Sequence, residues 1–291
     1  MKATELTARD ARLHAYRVDL ADTRLKGQVA AERFVEGQPA RVAASVADVR
    51  KAPHADAGVN TQFLFGDDVL VFENKDGWAW VQGARDGYVG YVASSMLGER
   101  SAAPTHIVSV PRTFVYPGPD LRFPQSGQLS MGSTVTITGS AETRGTAYAL
   151  LASGEAVIVA HLRPIADHAA DYVAVAETFI GTPYLWGGAS GFGIDCSGLV
   201  QLSMRMAGRD VLRDSDMQAS ALGEPLDPRP DFSDLRRGDL VFWKGHVAIM
   251  TDAKNMVHAN GHTMLVSREG LREAVDRIGY LYGGPTGFRR P

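Results

Sequence analysis

Two small all-β units followed by an α+β domain is the multidomain architecture that this 291-residue sequence predicts. Three observations carry the expectation. From about Val42 to Pro164 the apolar residues come in short β-rich runs cut by Asp-Gly, Pro-Gly and Ser-Gly turns. From Asp167 onward a helical period appears first and further β-runs follow, which is the order of an α+β domain. The length accommodates two or three units at about 150 residues each.

Residues 1–30 read as an N-terminal arm. Leu6, Leu13, Tyr16, Val18, Leu20 and Leu25 lie among many charges, which predicts a short helical or irregular segment packed on a neighbour. Residues 31–100 form the first β unit. Its runs are 42–46, 63–65, 69–72, 78–81 and 88–92, divided by Gly66-Asp67-Asp68, Asn74-Lys75-Asp76-Gly77 and Arg85-Asp86-Gly87. Asp-Gly pairs supply the positive φ angles that tight hairpins need, and several such strands in about 60 residues suggest a small barrel. Residues 101–166 form the second unit, with runs at 107–110, 113–116, 134–138 and 156–159. Two successive units of similar size suggest a repeat.

The third unit spans 167–291. Val173, Ala176 and Ile180 sit at helical spacing within 169–180, and Gly181-Thr182-Pro183 ends that helix. Three β-runs, 240–243, 246–250 and 255–259, follow as prospective neighbours in one sheet.

Charge and composition narrow the chemistry. A net charge of −3 and a pI near 6.2, with Lys and Arg scattered, give no cationic surface for nucleic acid or anionic membrane. The first ten residues lack the apolar core of a secretory signal and no stretch approaches a membrane span, so a cytoplasmic location is expected. A single cysteine excludes an intramolecular disulfide and a multi-cysteine metal site, and neither metal nor cofactor is expected.

That cysteine sits in the most informative segment. Residues 183–194 are glycine-rich and irregular, whereas Leu199, Val200, Leu202, Ser203 and Met206 continue as a helix that Gly208 can end. Cys196 therefore begins a helix, where unpaired N–H groups and the helix dipole favour a thiolate and can hold an oxyanion. His246 and His258 lie on separate β-runs. Adjacent antiparallel strands can bring them together, one imidazole activating sulfur and the other fixing its tautomer. Each residue alone has a plainer role. A lone cysteine is usually a small buried hydrophobe, Asp195 a helix cap, and Tyr184 and Trp186 core aromatics. Their joint occurrence in this order favours catalysis.

The motifs Tyr184-Leu-Trp-Gly-Gly188, Asp195-Cys-Ser-Gly-Leu-Val200, 237–243, Gly245-His-Val-Ala-Ile249 and Val257-His-Ala259 resemble those of NlpC/p60 domains, papain-like peptidases of bacterial cell-wall peptides. The resemblance spans about 167–291. It implies Cys196 as nucleophile, His246 as base, His258 as third member, and a papain-like core. The β units resemble bacterial SH3-like barrels, the first through 61–66, Trp78, Trp80 and 86–91. The arrangement is similar to γ-D-glutamyl-L-diamino acid endopeptidases acting on murein peptides with a free N-terminal L-Ala in peptide recycling. It implies substrate contacts from Tyr184, Asp195, Ser197, Ser215 and Tyr88, with Asp56, Asp67, Asp68 and Asp86 competing as the barrel's acidic contact to the amine. A wall-peptide binding module with a vestigial site, and an acyltransferase, are the competing readings. The complete Cys–His–His set argues against the first, and the lack of a membrane-seeking segment against the second.

Overall fold

The structure is a computed structural model that describes residues 9–100 and 102–291. Leu6 of the expected arm lies outside the described residues. The described part of the arm is not an α-helix. It forms a short strand, Leu20–Asp22, paired in parallel with Arg33–Val35, and one 3₁₀ turn at Thr23–Leu25. Tertiary contact overrides any helical period here, because Ala15 and Leu20 are buried with Phe72, Trp80 and Val89 of the first β unit. The Val89 N–H donates to the Arg12 carbonyl at 2.8 Å, so the arm is tied down beside residue 12.

In the first β unit, seven strands form one sheet with Val59–Leu64 at one edge and Leu97–Gly98 at the other. The expected run 42–46 is instead a corner: one strand ends at Val42 and the next starts at Val46. Alternation buries Ala47, Val49, Phe63, Val69, Ala79, Val81 and Val92 on one side. The hairpin joining Asp68–Lys75 to Trp78–Gly83 turns on Asp76 and Gly77, both with positive φ. That is the two-residue turn the Asp-Gly pair predicts.

The second β-rich segment makes a five-stranded and a three-stranded sheet around Val108, Val115, Leu129, Val135 and Val157. Two of its strands, Gly127–Ser130 and Thr146–Leu151, do not stand out as apolar runs in the sequence.

The last part carries a six-stranded antiparallel sheet in which Leu240–Trp243, His246–Met250 and Asn255–Asn260 are consecutive neighbours, as the sequence predicts. Residues of opposite parity feed two cores. Val247, Ile249, Val257 and Ala259 pack with Leu199, Val200 and Met204 of the helix Cys196–Met206. Ala248, Met250 and Met256 pack with Leu271, Ala274 and Ile278 of a C-terminal helix, Leu271–Tyr282, which the sequence reading does not single out. The helix expected over 169–180 is shorter, Tyr172–Glu177, started by the Asp171 side chain accepting from the Val173 N–H. Among the described residues no helix is long and apolar enough to cross a membrane.

The parts are cross-braced. Leu64, Ile107 and Met131 from the β units share a core with the Cys196 helix, and Arg205 of that helix pairs with Asp67 at 2.6 Å.

Candidate active site

Cys196 is the first residue of its helix, as the glycine-rich approach and the apolar spacing predict. Asp195 is the N-cap, and its Oδ1 accepts from the Gly198 N–H at 2.7 Å. Residue 198 must be glycine, since a Cβ there would lie 2.3 Å from the Gly188 carbonyl oxygen. The Asp-Cys-Ser-Gly motif is thus a cap, a first-turn cysteine and a close approach to the loop behind it.

The cap carboxylate is also half of a buried ion pair. Arg213, 1% exposed, reaches Asp195 Oδ2 at 2.7 Å and Oδ1 at 3.0 Å, Ser197 Oγ at 2.8 Å and Thr61 Oγ1 of the first β unit at 2.7 Å. This bidentate pair holds the helix start against the first sheet.

The thiol departs from the sequence expectation of a stabilised thiolate. Burial pushes it up to about 12 and the Asp195 charge adds to that, outweighing backbone N–H groups of Val247 and Ser197 and the Arg213 charge. That direction favours the thiol in the peptide-free protein. Alkylation of Cys196 by iodoacetamide is therefore expected to quicken about tenfold per pH unit from 7 to 9. A rate already level at pH 5–6 would reveal a standing thiolate–imidazolium pair.

His246 opens its strand after a two-residue hairpin in which Gly245 takes φ 76°. His246 Nε2 lies 2.9 Å from Nδ1 of His258, with ring centroids 5.1 Å apart, so the two strands bring the histidines together as predicted. His258 is fully buried, and its Nε2 is 3.1 Å from Glu269 Oε2, an ion-pair approach rather than a well-aligned hydrogen bond. Glu269 is held in turn by Arg277 of the C-terminal helix at 2.9 and 2.5 Å. Burial depresses His246 to about 3, assisted by His258 and Arg277 and opposed by Glu269. Burial alone would raise Glu269, but His258 and Arg277 hold it at about 2.

Two hollows adjoin at Tyr184, Trp186 and Gly245. One, about 330 Å³, is lined by Cys196, Asp195, Ser197, Tyr88, Asp214 and Ser215, among others. The other, about 610 Å³, holds His246, Lys244, His262 and Tyr282. The sulfur stands beside the N–H of Val247, the residue after His246. Five of the expected substrate-contacting residues, Tyr184, Asp195, Ser197, Ser215 and Tyr88, thus meet Cys196 in one hollow. Ser197 and Asp195 are largely consumed by Arg213, which leaves Tyr88, Tyr184 and Ser215 as the freer groups. Burial lifts the Tyr184 phenol to about 12, so it stays a neutral hydroxyl.

None of Asp56, Asp67, Asp68 and Asp86 lines that hollow. Asp67 and Asp68 are engaged by arginines, and Asp86 accepts from Gln201. The acidic group beside Tyr88 is Asp214, whose Oδ2 accepts from the Tyr88 hydroxyl at 3.1 Å and from Arg12 of the arm at 2.8 Å. Sequence reasoning misses Asp214, Arg213, Arg12, Glu269 and Arg277, and the plainer reading of Trp186 as a core aromatic fails, since the residue is 73% exposed. A signal was present for Asp214 and Arg213, which immediately precede Ser215 in the 213–218 segment. Among the described residues no group of three or more His, Cys, Asp or Glu could hold a metal ion.

Comparison with known proteins agrees with this geometry. Residues 49–97 match the bacterial dipeptidyl-peptidase SH3 domain and residues 181–275 match the NlpC/P60 family. The chain is 30% identical over 238 residues to a γ-D-glutamyl-L-lysine dipeptidyl-peptidase of Bacillus subtilis, covering 73% of this chain and 76% of that one. It is 28% identical to dipeptidyl-peptidase 6 of Lysinibacillus sphaericus, covering 83% of this chain and 98% of that one. A crystal structure of an NlpC/P60 family protein from Bacillus cereus shares the fold with a TM-score of 0.71 at 23% identity, over 87% of this chain and 99% of that one. A cysteine capped by aspartate at a helix start, two touching histidines on neighbouring strands and an SH3 domain ahead of them are thus features of a chain that belongs to the NlpC/P60 family.

Proposed function

We propose that this protein is a cysteine peptidase hydrolysing the amide between γ-D-glutamate and a diamino acid in short murein peptides with a free N-terminal L-Ala. The observation that carries the reading is that Cys196 lines a hollow together with Tyr88 and Asp214, and that this hollow adjoins one holding His246. The relatives named as γ-D-glutamyl-L-lysine dipeptidyl-peptidases support the choice of bond. In this reading the chain comprises the arm to residue 30, SH3-like barrels at 31–100 and 101–166, and a papain-like domain at 167–291.

The chemistry follows from the geometry. Nε2 of His246 is engaged by His258, so Nδ1 is the nitrogen left for the thiol. As sulfur attacks the γ-carbonyl carbon, Nδ1 takes its proton, and N–H groups at the helix start receive the oxyanion. The His246 imidazolium then gives that proton to the departing amine, and the C–N bond breaks. Water, deprotonated by the same nitrogen, then cleaves the thioester and frees L-Ala-γ-D-Glu.

Selection for the free amine rests on Asp214. Burial raises its carboxyl despite Arg213, Tyr88 and Arg12, so a further cation beside it would favour the ionised form. A substrate ammonium would make a charge-assisted hydrogen bond there, whereas an acylated amine would not. Such selection fits peptides already released from the wall, as recycling requires. The test compares L-Ala-γ-D-Glu-diamino acid with its N-acetyl form by mass spectrometry of products. The free tripeptide is expected to yield dipeptide and diamino acid, with kcat/KM about 100-fold above the acetylated one, or about 3 kcal/mol. Equal cleavage of both, or cleavage at another bond, would refute the reading.

A further inference from the structure

We infer that Glu269 is a positioning residue that fixes the proton positions on both histidines, leaving His246 Nδ1, the nitrogen not engaged by His258, bare. The inference rests on the reading of Cys196, His246 and His258 as the reacting set. It adds a carboxylate that acts from behind His258, on a strand the sequence reading does not recognise.

The placement follows from register. The strand Leu265–Gly270 pairs antiparallel with Asn255–Asn260, setting Ser267 opposite His258 and Glu269 opposite Met256. Glu269 therefore shares a face with His258 as its diagonal neighbour, within reach of a long side chain. Arg277 grips the carboxylate from the C-terminal helix at 2.9 and 2.5 Å and leaves Oε2 3.1 Å from His258 Nε2.

The logic is one of donors and acceptors. An ionised carboxylate only accepts, so His258 Nε2 must carry hydrogen. With a single proton on each ring, a proton on His258 Nε2 leaves its Nδ1 bare. Its partner at 2.9 Å, His246 Nε2, must then donate, which leaves His246 Nδ1 bare. One carboxylate thus sets three nitrogens in sequence. Because His258 is fully buried, no solvent competes for its Nε2. When His246 becomes positive during the reaction, the same carboxylate lies behind it as a counter-charge, in addition to the Arg277 charge that opposes it.

A neutral amide at this position removes the constraint. In Glu269→Gln the side chain can turn its NH₂ toward His258 Nε2, moving the His258 proton to Nδ1 and the His246 proton to the nitrogen that must accept from sulfur. The plain alternative is structural: Glu269 and Arg277 only fasten the C-terminal helix to the sheet.

The experiment records ¹⁵N ring shifts of histidine-labelled protein at pH 7, with His258 assigned by substitution, alongside kcat and KM for the tripeptide. Wild-type His258 is expected as the Nε2–H tautomer, with the opposite tautomer gaining population in Glu269→Gln. There kcat should fall about 10- to 100-fold with KM within about twofold, and Glu269→Asp should recover part of the loss. Arg277→Gln, which keeps the carboxylate on His258, should lose less. An Nδ1–H tautomer in the wild type overturns the proposal, as does an unchanged tautomer in Glu269→Gln with losses equal to those of Arg277→Gln. The ring shifts need no turnover, so protein that cleaves no murein peptide but shows the expected tautomers would sink the proposed reaction and leave this inference standing.

Discussion

Replacing Cys196 with alanine is expected to cut release of diamino acid from the tripeptide by about 10⁵-fold while the protein stays folded. The size follows from the absence of a substitute. The chain has no other cysteine, and the neighbouring Ser197 has its hydroxyl committed, donating to Asp195 and accepting from Arg213. What survives is oxyanion binding and orientation without a bond to carbon. The change removes one small buried sulfur, so melting should shift by only a few degrees, about 1 kcal/mol. Product assay by mass spectrometry decides the matter. A residual rate within tenfold of wild type would mean that another group attacks, or that the reaction is not covalent.

The second large effect concerns the ion pair under the nucleophile. Arg213→Met is expected to destabilise the protein by about 3–5 kcal/mol, because it strands the buried Asp195 carboxylate without its counter-charge. That corresponds to a melting temperature lower by roughly 10 °C. The substitution also cuts the bonds to Thr61 and Ser197, so the first sheet loses one of its ties to the helix that begins at Cys196. Arg213→Met combined with Asp195→Asn should recover about half the loss, since asparagine still caps the helix but carries no charge to strand. Calorimetry of the three proteins measures this. A melting point within about 2 °C of wild type in Arg213→Met would show that water reaches Asp195 and that the pair is not a buried one.

The candidate site residues were legible because their signals are local. A glycine-rich loop running into an apolar helix places Cys196, and runs ending at Trp243 and starting at His246 announce a hairpin around Gly245. Asp76-Gly77 specified its own turn for the same reason. What failed depends on distant chain. The arm's form is set by Phe72 and Trp80, which no window over residues 9–30 contains. Glu269 acquires meaning only once Leu265–Gly270 is registered against His258, and that strand alternates polar and apolar residues too weakly to stand out. The acidic group beside Tyr88 comes from the third unit rather than the first, a fact of docking that sequence order conceals. For the thiol, the helix start argues for ionisation, whereas burial, a property of the whole fold that sequence does not show, argues against it.

The end of the hollow beyond Cys196 is stitched from Arg12, Tyr88 and Asp214, three positions far apart along the chain. All three precede His246 along the chain, so trimming the first dozen residues would strip the Arg12 charge from Asp214 while leaving the Cys196 and His246 segments whole.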